Sequence, residues 1–508
     1  MRLALALFLA TFVASPLLAQ APYVPRDERG SLDARAQTTL DGNQVRYTAF
    51  NFGQSGRTRA VQDQIPYEWP SGTRRFYLAL TGFFVGAEVE SQTGERAFIV
   101  NVPNYRQDIN DPDNPWTWAP VPTYMGGGEI ARSDRPETWP DVWPDRLGDA
   151  DDPGWPGAWN GLLGKDAFID GVETYVHYTD DGYDRNRDDP STTYVPDATD
   201  PDRAGLGVVV SERRLAFRDD ALQDVAFTVR DLYNAGTQDL ATVGATVWVA
   251  DLVGGDADAR DDTPLFDDAR DLIVFADADG ESTSFGFGDG VSVGAVALVL
   301  LEAPGDLAFA NVQHGPAGGV NFQTVSDETL FTELMAPAAY EPPPSEPADY
   351  DTYASVAPFS IDAGDSVRLA TALVFGDVDY NATAFEARYA ELLRKADEAR
   401  AFYAGGFVVP SESGPAEGRL ALRAVYPNPS SGETHVTFSL PAAQDVRLEV
   451  FDALGRRVAT LAEGAFPAGD HRATWGGRGG GTRAGSGLYL VRLTAPGGVE
   501  TRTVVRVR

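Results

Sequence analysis

Short runs of apolar residues, alternating or continuous, recur along most of the chain. They fall at 76–89, 97–102, 173–178, 207–217, 225–233, 242–250, 272–276, 291–301 and 367–375. Most are rich in β-branched and aromatic residues and are bounded by Gly, Pro, Asp or Asn, so each reads as a strand ending in a turn. One segment has a helical period. It opens at Asn381, a residue suited to an N-cap, and runs to about Tyr403 before Gly405-Gly406. Leu392, Ala396, Ala399 and Tyr403 fall near one face, with Glu391, Lys395 and Glu398 mainly outside it. From residue 421 onward about seven short strands follow one another at 8–12-residue spacing, the spacing of a small immunoglobulin-like sandwich. The pattern predicts a mainly β chain. An antiparallel sandwich-type body carries one long helix near 381–404, and an Ig-like sandwich follows it.

Two polar stretches punctuate this pattern. Residues 341–347, rich in proline, read as a long loop within the body. Residues 410–420, rich in Ser, Gly, Pro and Glu, read as a linker. At the start of the chain, Arg2 precedes an apolar run from Leu3 to Val13, and Ala19-Gln20-Ala21 offers a cleavage site, with cleavage after Ala19 as the alternative. That is the layout of a secretory signal peptide. The expected organisation is therefore a signal peptide at 1–21, an acidic β-rich body at 22–409, the linker, and a C-terminal domain at 421–508. No later apolar run approaches the ~20 residues that span a bilayer, so no transmembrane segment is expected in the mature chain.

The C-terminal domain carries an ordered set of motifs. It begins with Tyr426-Pro427-Asn428-Pro429, continues through 450–458 with Leu454-Gly455 at the turn, then Gly487-Leu488-Tyr489, and closes on a strand-like run to Arg508. This order resembles the type A C-terminal sorting domain of type IX secretion cargo. The resemblance implies an export address read by the type IX machinery, and a final location outside the cell or on the outer-membrane surface. The body is similar, through 231–240, Trp248 to Asp251, Asp261-Asp262, 155–161 and 374–377, to large secreted proteins that share such a tail. That likeness brings no catalytic residue with it.

Charge and composition narrow the picture. The formal net charge is −34, yet residues 420–508 hold 11 Arg against 7 acidic residues, leaving −38 on the rest. Only Lys165 and Lys395 are lysines, and Asp outnumbers Glu. An Asp-rich, Lys-poor surface fits a salty habitat, where screening relieves self-repulsion; a high-GC genome also favours Arg over Lys. A nucleic-acid partner is not expected, because no basic patch is present to meet phosphates. With no cysteine, disulfides and thiolate chemistry are excluded.

Candidate chemistry is sparse. The four histidines form no zinc-type spacing, and there is no nucleophile elbow or P-loop, so no catalytic residue is assigned. Two Asp-rich loops are candidate cation sites with calcium as the ion. Asp184, Asn186 and Asp188 alternate as in the start of a calcium loop, although the expected glycine is replaced by Asp189. Asp256, Asp258, Asp261 and Asp262 crowd carboxylates into a second loop. For both, the alternative is a solvated acidic loop. Asp277-Ala278-Asp279-Gly280-Glu281 reads first as a hairpin turn. Six of nine tryptophans lie between Trp116 and Trp159. They suggest either stacking platforms for a surface polysaccharide or anchors pinning an irregular segment to the body. The expected role is a non-enzymatic, adhesion-type surface protein, with a carbohydrate-binding or glycoside-active protein as the alternative.

Overall fold

A computed structural model describes residues 29–57, 64–103, 117–144, 155–180, 193–313 (apart from 202, 259, 289 and 290), 325–336, 346–407, 421–426 and, with short breaks, 434–506. The expected signal peptide, the linker, the Asp184, Asn186 and Asp188 loop and the motif residues Pro427, Asn428, Pro429, Leu454 and Gly455 lie outside the described residues.

Two large antiparallel sheets make the body. The first runs, in spatial order, Gln37–Leu40, Tyr47–Phe50, Gln54–Gly56, Phe76–Glu90, Leu240–Asp251, Tyr350–Ile361 and Leu307–Gln313. Tyr67–Glu68 and Arg96–Asn101 also pair with Phe76–Glu90. The second runs Asp262–Asp267, Leu272–Asp277, Ala295–Glu302, Ser366–Gly376, Val225–Asn234, Val208–Phe217, Gly171–Thr179 and Ala119–Pro120. Every strand expected from the sequence is present within a few residues, and the mainly β sandwich is the observed class.

Strand alternation explains the layering. In Leu272–Asp277, Ile273 and Phe275 join the core between the sheets, while Leu272, Val274 and Ala276 face the other way. That outer face is covered by the helix Ala390–Ala404 through Leu392, Leu393, Ala396, Ala399 and Phe402. Likewise Phe83 of the first sheet points inward, and its neighbour Phe84 packs outward under Leu330, Phe331, Leu334 and Met335. With both faces apolar, the central strands become continuous hydrophobic runs rather than alternating ones. At about 25 cal/mol per Å² of apolar surface removed from water, these layers are the main stabilising term. Gly376 lets the helix approach closely: a Cβ there would lie 3.2 Å from the Leu392 backbone.

The helix differs in detail from the expected one. It is preceded by a separate turn, Phe385–Arg388, and Asn381 is not its N-cap. Lys395, expected mainly outside the apolar face, is only 7 % exposed. Its ammonium meets Asp224 at 2.8 Å and Glu391 at 2.7 Å, and donates to the Phe375 carbonyl at 3.1 Å. Three oxygens compensate the buried charge, which is why a lysine can sit on a core-facing surface. Among the described residues, no helix is long and apolar enough to cross a membrane.

The last strands form separate sheets. Ala421–Tyr426, Thr434–Leu440 and Gly469–Trp475 make one, and Arg457–Phe466, Gln444–Asp452, Gly487–Ala495 and Gly498–Arg506 make the other. Between them lies a core of their own, including Val436, Phe438, Leu448, Val450, Trp475, Val491 and Leu493.

Candidate functional site

The acidic residues converge where the Leu240–Asp251 strand leaves the first sheet and the chain loops over to begin the second. Gly254 and Gly255 turn the loop with φ of 85° and 95°. Asp258 donates its amide to the Gly255 carbonyl at 2.9 Å, which curls the loop back on itself. Gly254 is required by proximity as well as by φ, since a Cβ there would strike the Asp258 carboxylate. The loop is held to its neighbours by Ser284 Oγ, which accepts from the Ala257 amide at 2.9 Å, and by Ser282 Oγ, which donates to the Gly254 carbonyl at 2.5 Å.

Carboxylate oxygens of Asp258, Asp261 and Asp277 all lie within 4.8 Å of one another. Asp277 belongs to the stretch read as a turn, and it does make one: its Oδ1 accepts from the Asp279 amide at 3.0 Å and from the Gly280 amide. Its Oδ2 is buried with no hydrogen-bond partner. The two Asp-rich stretches that look separate in the sequence are therefore one cluster, because Asp262 pairs in register with Asp277 across adjacent strands. The other two members of the expected set stand differently. Asp256 is exposed and forms an ion pair with Arg57. Asp262 is fully buried, takes the Val253 amide on Oδ2 at 2.9 Å, and leaves Oδ1 without a partner.

Electrostatics follow from this crowding. Burial, opposed by the Gly280 amide and reinforced by Asp261, Asp258 and Asp279, pushes the Asp277 carboxyl up to about 7. Burial and then Asp261 raise Asp258; burial and then Asp279 raise Asp261. Asp262 lies well above the usual carboxylate range through burial and through Asp251, which is itself raised by burial. No Arg or Lys pairs with Asp258, Asp261 or Asp277 among the described residues. The arrangement can hold a hard cation on oxygen ligands, or protons in its place.

Two other groups are structural. Trp118, Trp143 and Trp159 are sealed inside, their indole N–H groups donating to Phe83 O at 2.8 Å, Ala158 O at 2.8 Å and Glu173 Oε2 at 3.2 Å. These rings anchor an irregular segment and offer no stacking platform. Sequence reasoning missed a buried ionic network. Glu212 receives Arg230 Nε at 2.7 Å, the Tyr178 hydroxyl at 3.0 Å and the Arg214 guanidinium. Burial alone would raise Glu212, but the two guanidiniums outweigh it and hold its carboxyl low. The signal was present as Ser211-Glu212-Arg213-Arg214 set inside an apolar strand.

At the C-terminal end, Tyr426 closes the first strand, and Gly487 and Tyr489 open the strand Gly487–Ala495. Tyr489 is buried against Trp475 with ring centres 5.0 Å apart, and its hydroxyl donates to the Gly485 carbonyl at 2.9 Å. Asp452 accepts from the Arg456 amide at 2.9 Å. Residues 425–498 match the family of the FlgD Ig-like domain. The chain thus ends in an Ig-like domain. No curated protein matches the chain. Among solved structures it is similar to a polysaccharide lyase at 9 % identity, covering 59 % of this chain and 34 % of that one with a TM-score of 0.21. It is also similar to a heparan sulfate lyase of Pedobacter heparinus at 7 % identity, covering 85 % and 42 % with a TM-score of 0.24. The chain thus spans less than half the length of either, and at these scores neither likeness bears on chemistry.

Proposed function

We propose that this is a secreted or cell-surface protein of non-enzymatic, adhesion-type role, whose C-terminal Ig-like domain is an export address for a type IX-like machinery. The observation that carries the reading is a separate Ig-like unit with its own core at the C-terminal end of an acidic body. The ordered motifs ending in Gly487 and Tyr489 fall within it, and the apolar run at 3–13 supplies the first step of export. The division into residues 22–409 and 421–508 belongs to the same proposal.

Two spaces in the described part of the body bear on this reading. Between the sheets, Val247, Leu298, Leu307, Val356 and Leu369 enclose a cavity of only about 10 Å³, no larger than one water requires. The groove beside Arg270, Glu386, Arg394 and Asp397 is an open face of mixed charge. Trp118, Trp143 and Trp159 are turned inward, so a carbohydrate-active alternative would draw on the part-buried Trp139 and Trp155. The test is to fuse residues 421–508 to a reporter bearing a signal peptide in a type IX-competent host. The reporter is expected in the medium or on the surface; retention in the periplasm would refute the address.

A further inference from the structure

We propose that Asp258, Asp261 and Asp277 form a calcium site that ties the 252–262 loop to the end of the Leu272–Asp277 strand. This stands apart from the export reading. Three carboxylates from two segments bring oxygens within 4.8 Å of one another, a spread that fits a calcium sphere, whose opposite ligands lie ~5 Å apart. Magnesium requires a tighter, near-ideal octahedron of oxygens.

Crowded carboxylates alone would describe any acidic surface. Asp277 is different. It is 1 % exposed, its Oδ1 is fixed by two backbone amides, and its Oδ2 is buried with no partner. Asp258 is part-buried, with its Oδ2 shielded from solvent and its carboxylate close enough to interact with Asp277 and Ser282. Unpartnered buried carboxylate oxygens are costly, and a protein that keeps them beside like charges needs something to balance them. No guanidinium or ammonium supplies that balance among the described residues, so the compensating charge must be a cation or protons. The loop is also pre-shaped: Gly254 leaves room for Asp258, and Ser282 and Ser284 fix its path. A cation here would fasten the crossing between the two sheets, at the point where the loop leaves Asp251 and the next sheet begins at Asp262.

The test uses the full chain, stripped with chelator, titrated calorimetrically with calcium chloride in about 1 M NaCl so that the diffuse attraction of the acidic surface is screened to ~3 Å. A saturable calcium site is expected, with magnesium binding more weakly. Asp258→Asn combined with Asp261→Asn should weaken calcium on the order of tenfold or more, and Asp277→Asn should do the same. Asp256→Asn, which removes a carboxylate engaged by Arg57, should leave binding unchanged. Circular dichroism verifies that each variant is folded, and the partly exposed Asp258 and Asp261 pair decides the matter if the Asp277 variant is not. The absence of saturable binding, or equal binding by the wild type and the double variant, would overturn the proposal. So would a loss in the Asp256 variant as large as that in the double variant.

Discussion

His177 is a neutral imidazole sealed in the second sheet. Its Nδ1 lies 3.0 Å from Ser211 Oγ and 3.1 Å from the Tyr175 hydroxyl, its Nε2 has no partner, and burial pushes its pKa down to about 3. Below the ordinary value of ~6.5 the unfolded chain takes up a proton that the folded chain refuses, so stability is lost as the pH falls, by about 1.4 kcal/mol per unit. Because carboxylates titrate with the opposite sign in the same window, the test is a difference: in urea unfolding, the stability of the wild type relative to His177→Gln should fall with this slope as the pH drops below about 6.5; a difference that does not change with pH would contradict the buried, neutral state. Asp277 acts with the opposite sign. Its folded value of about 7 exceeds the ordinary ~4, so without a cation the folded state binds the extra proton, and stability falls as the pH rises through that window. Calcium should cancel that fall. Glu212 supplies a third case at this scale. Its replacement by Gln leaves the Arg214 and Arg230 guanidiniums buried without their anion, and should destabilise the body by roughly 3–5 kcal/mol in denaturant titration. A change under ~1 kcal/mol would mean that the network contributes little.

Among elements, the most readable strands are those covered on both faces. Ala295–Glu302 and Leu272–Asp277 sit between the inter-sheet core and the helix, and their unbroken apolar runs follow from that position. Tyr350–Ile361 and Leu307–Gln313 carry weaker signals in the sequence. The first follows a proline-rich stretch and contains Pro358, and the second mixes Asn311 and Gln313 into an edge strand of its sheet. Burial of Lys395 was hidden for a related reason: its partner Asp224 lies far away in the sequence, and only the packing of helix on sheet brings them together. Lys395→Ala should therefore cost about 3 kcal/mol, far more than an exposed helix lysine, because Asp224 would be left without its cation. The candidate site was half visible. Asp258 and Asp261 stand out as a run, but the contribution of Asp277 depends on strand register, which periodicity does not carry.

At the scale of the whole molecule, charge and address remain. A body carrying about −38 repels itself, and shortening the Debye length from ~10 Å at 0.1 M salt to ~3 Å at 1 M should relieve it. The melting temperature of the full chain should rise with NaCl over that range; a flat or falling curve would remove the salty-habitat reading. The Ig-like domain, with its own core, is the part on which the account of function turns. The most direct measurement compares the full chain with one ending before residue 421, both expressed in a type IX-competent host and fractionated, with surface protein probed by external protease. The account predicts that the full chain reaches the surface or the medium and that the shortened chain accumulates, folded, in the periplasm. Equal export of the two would contradict it.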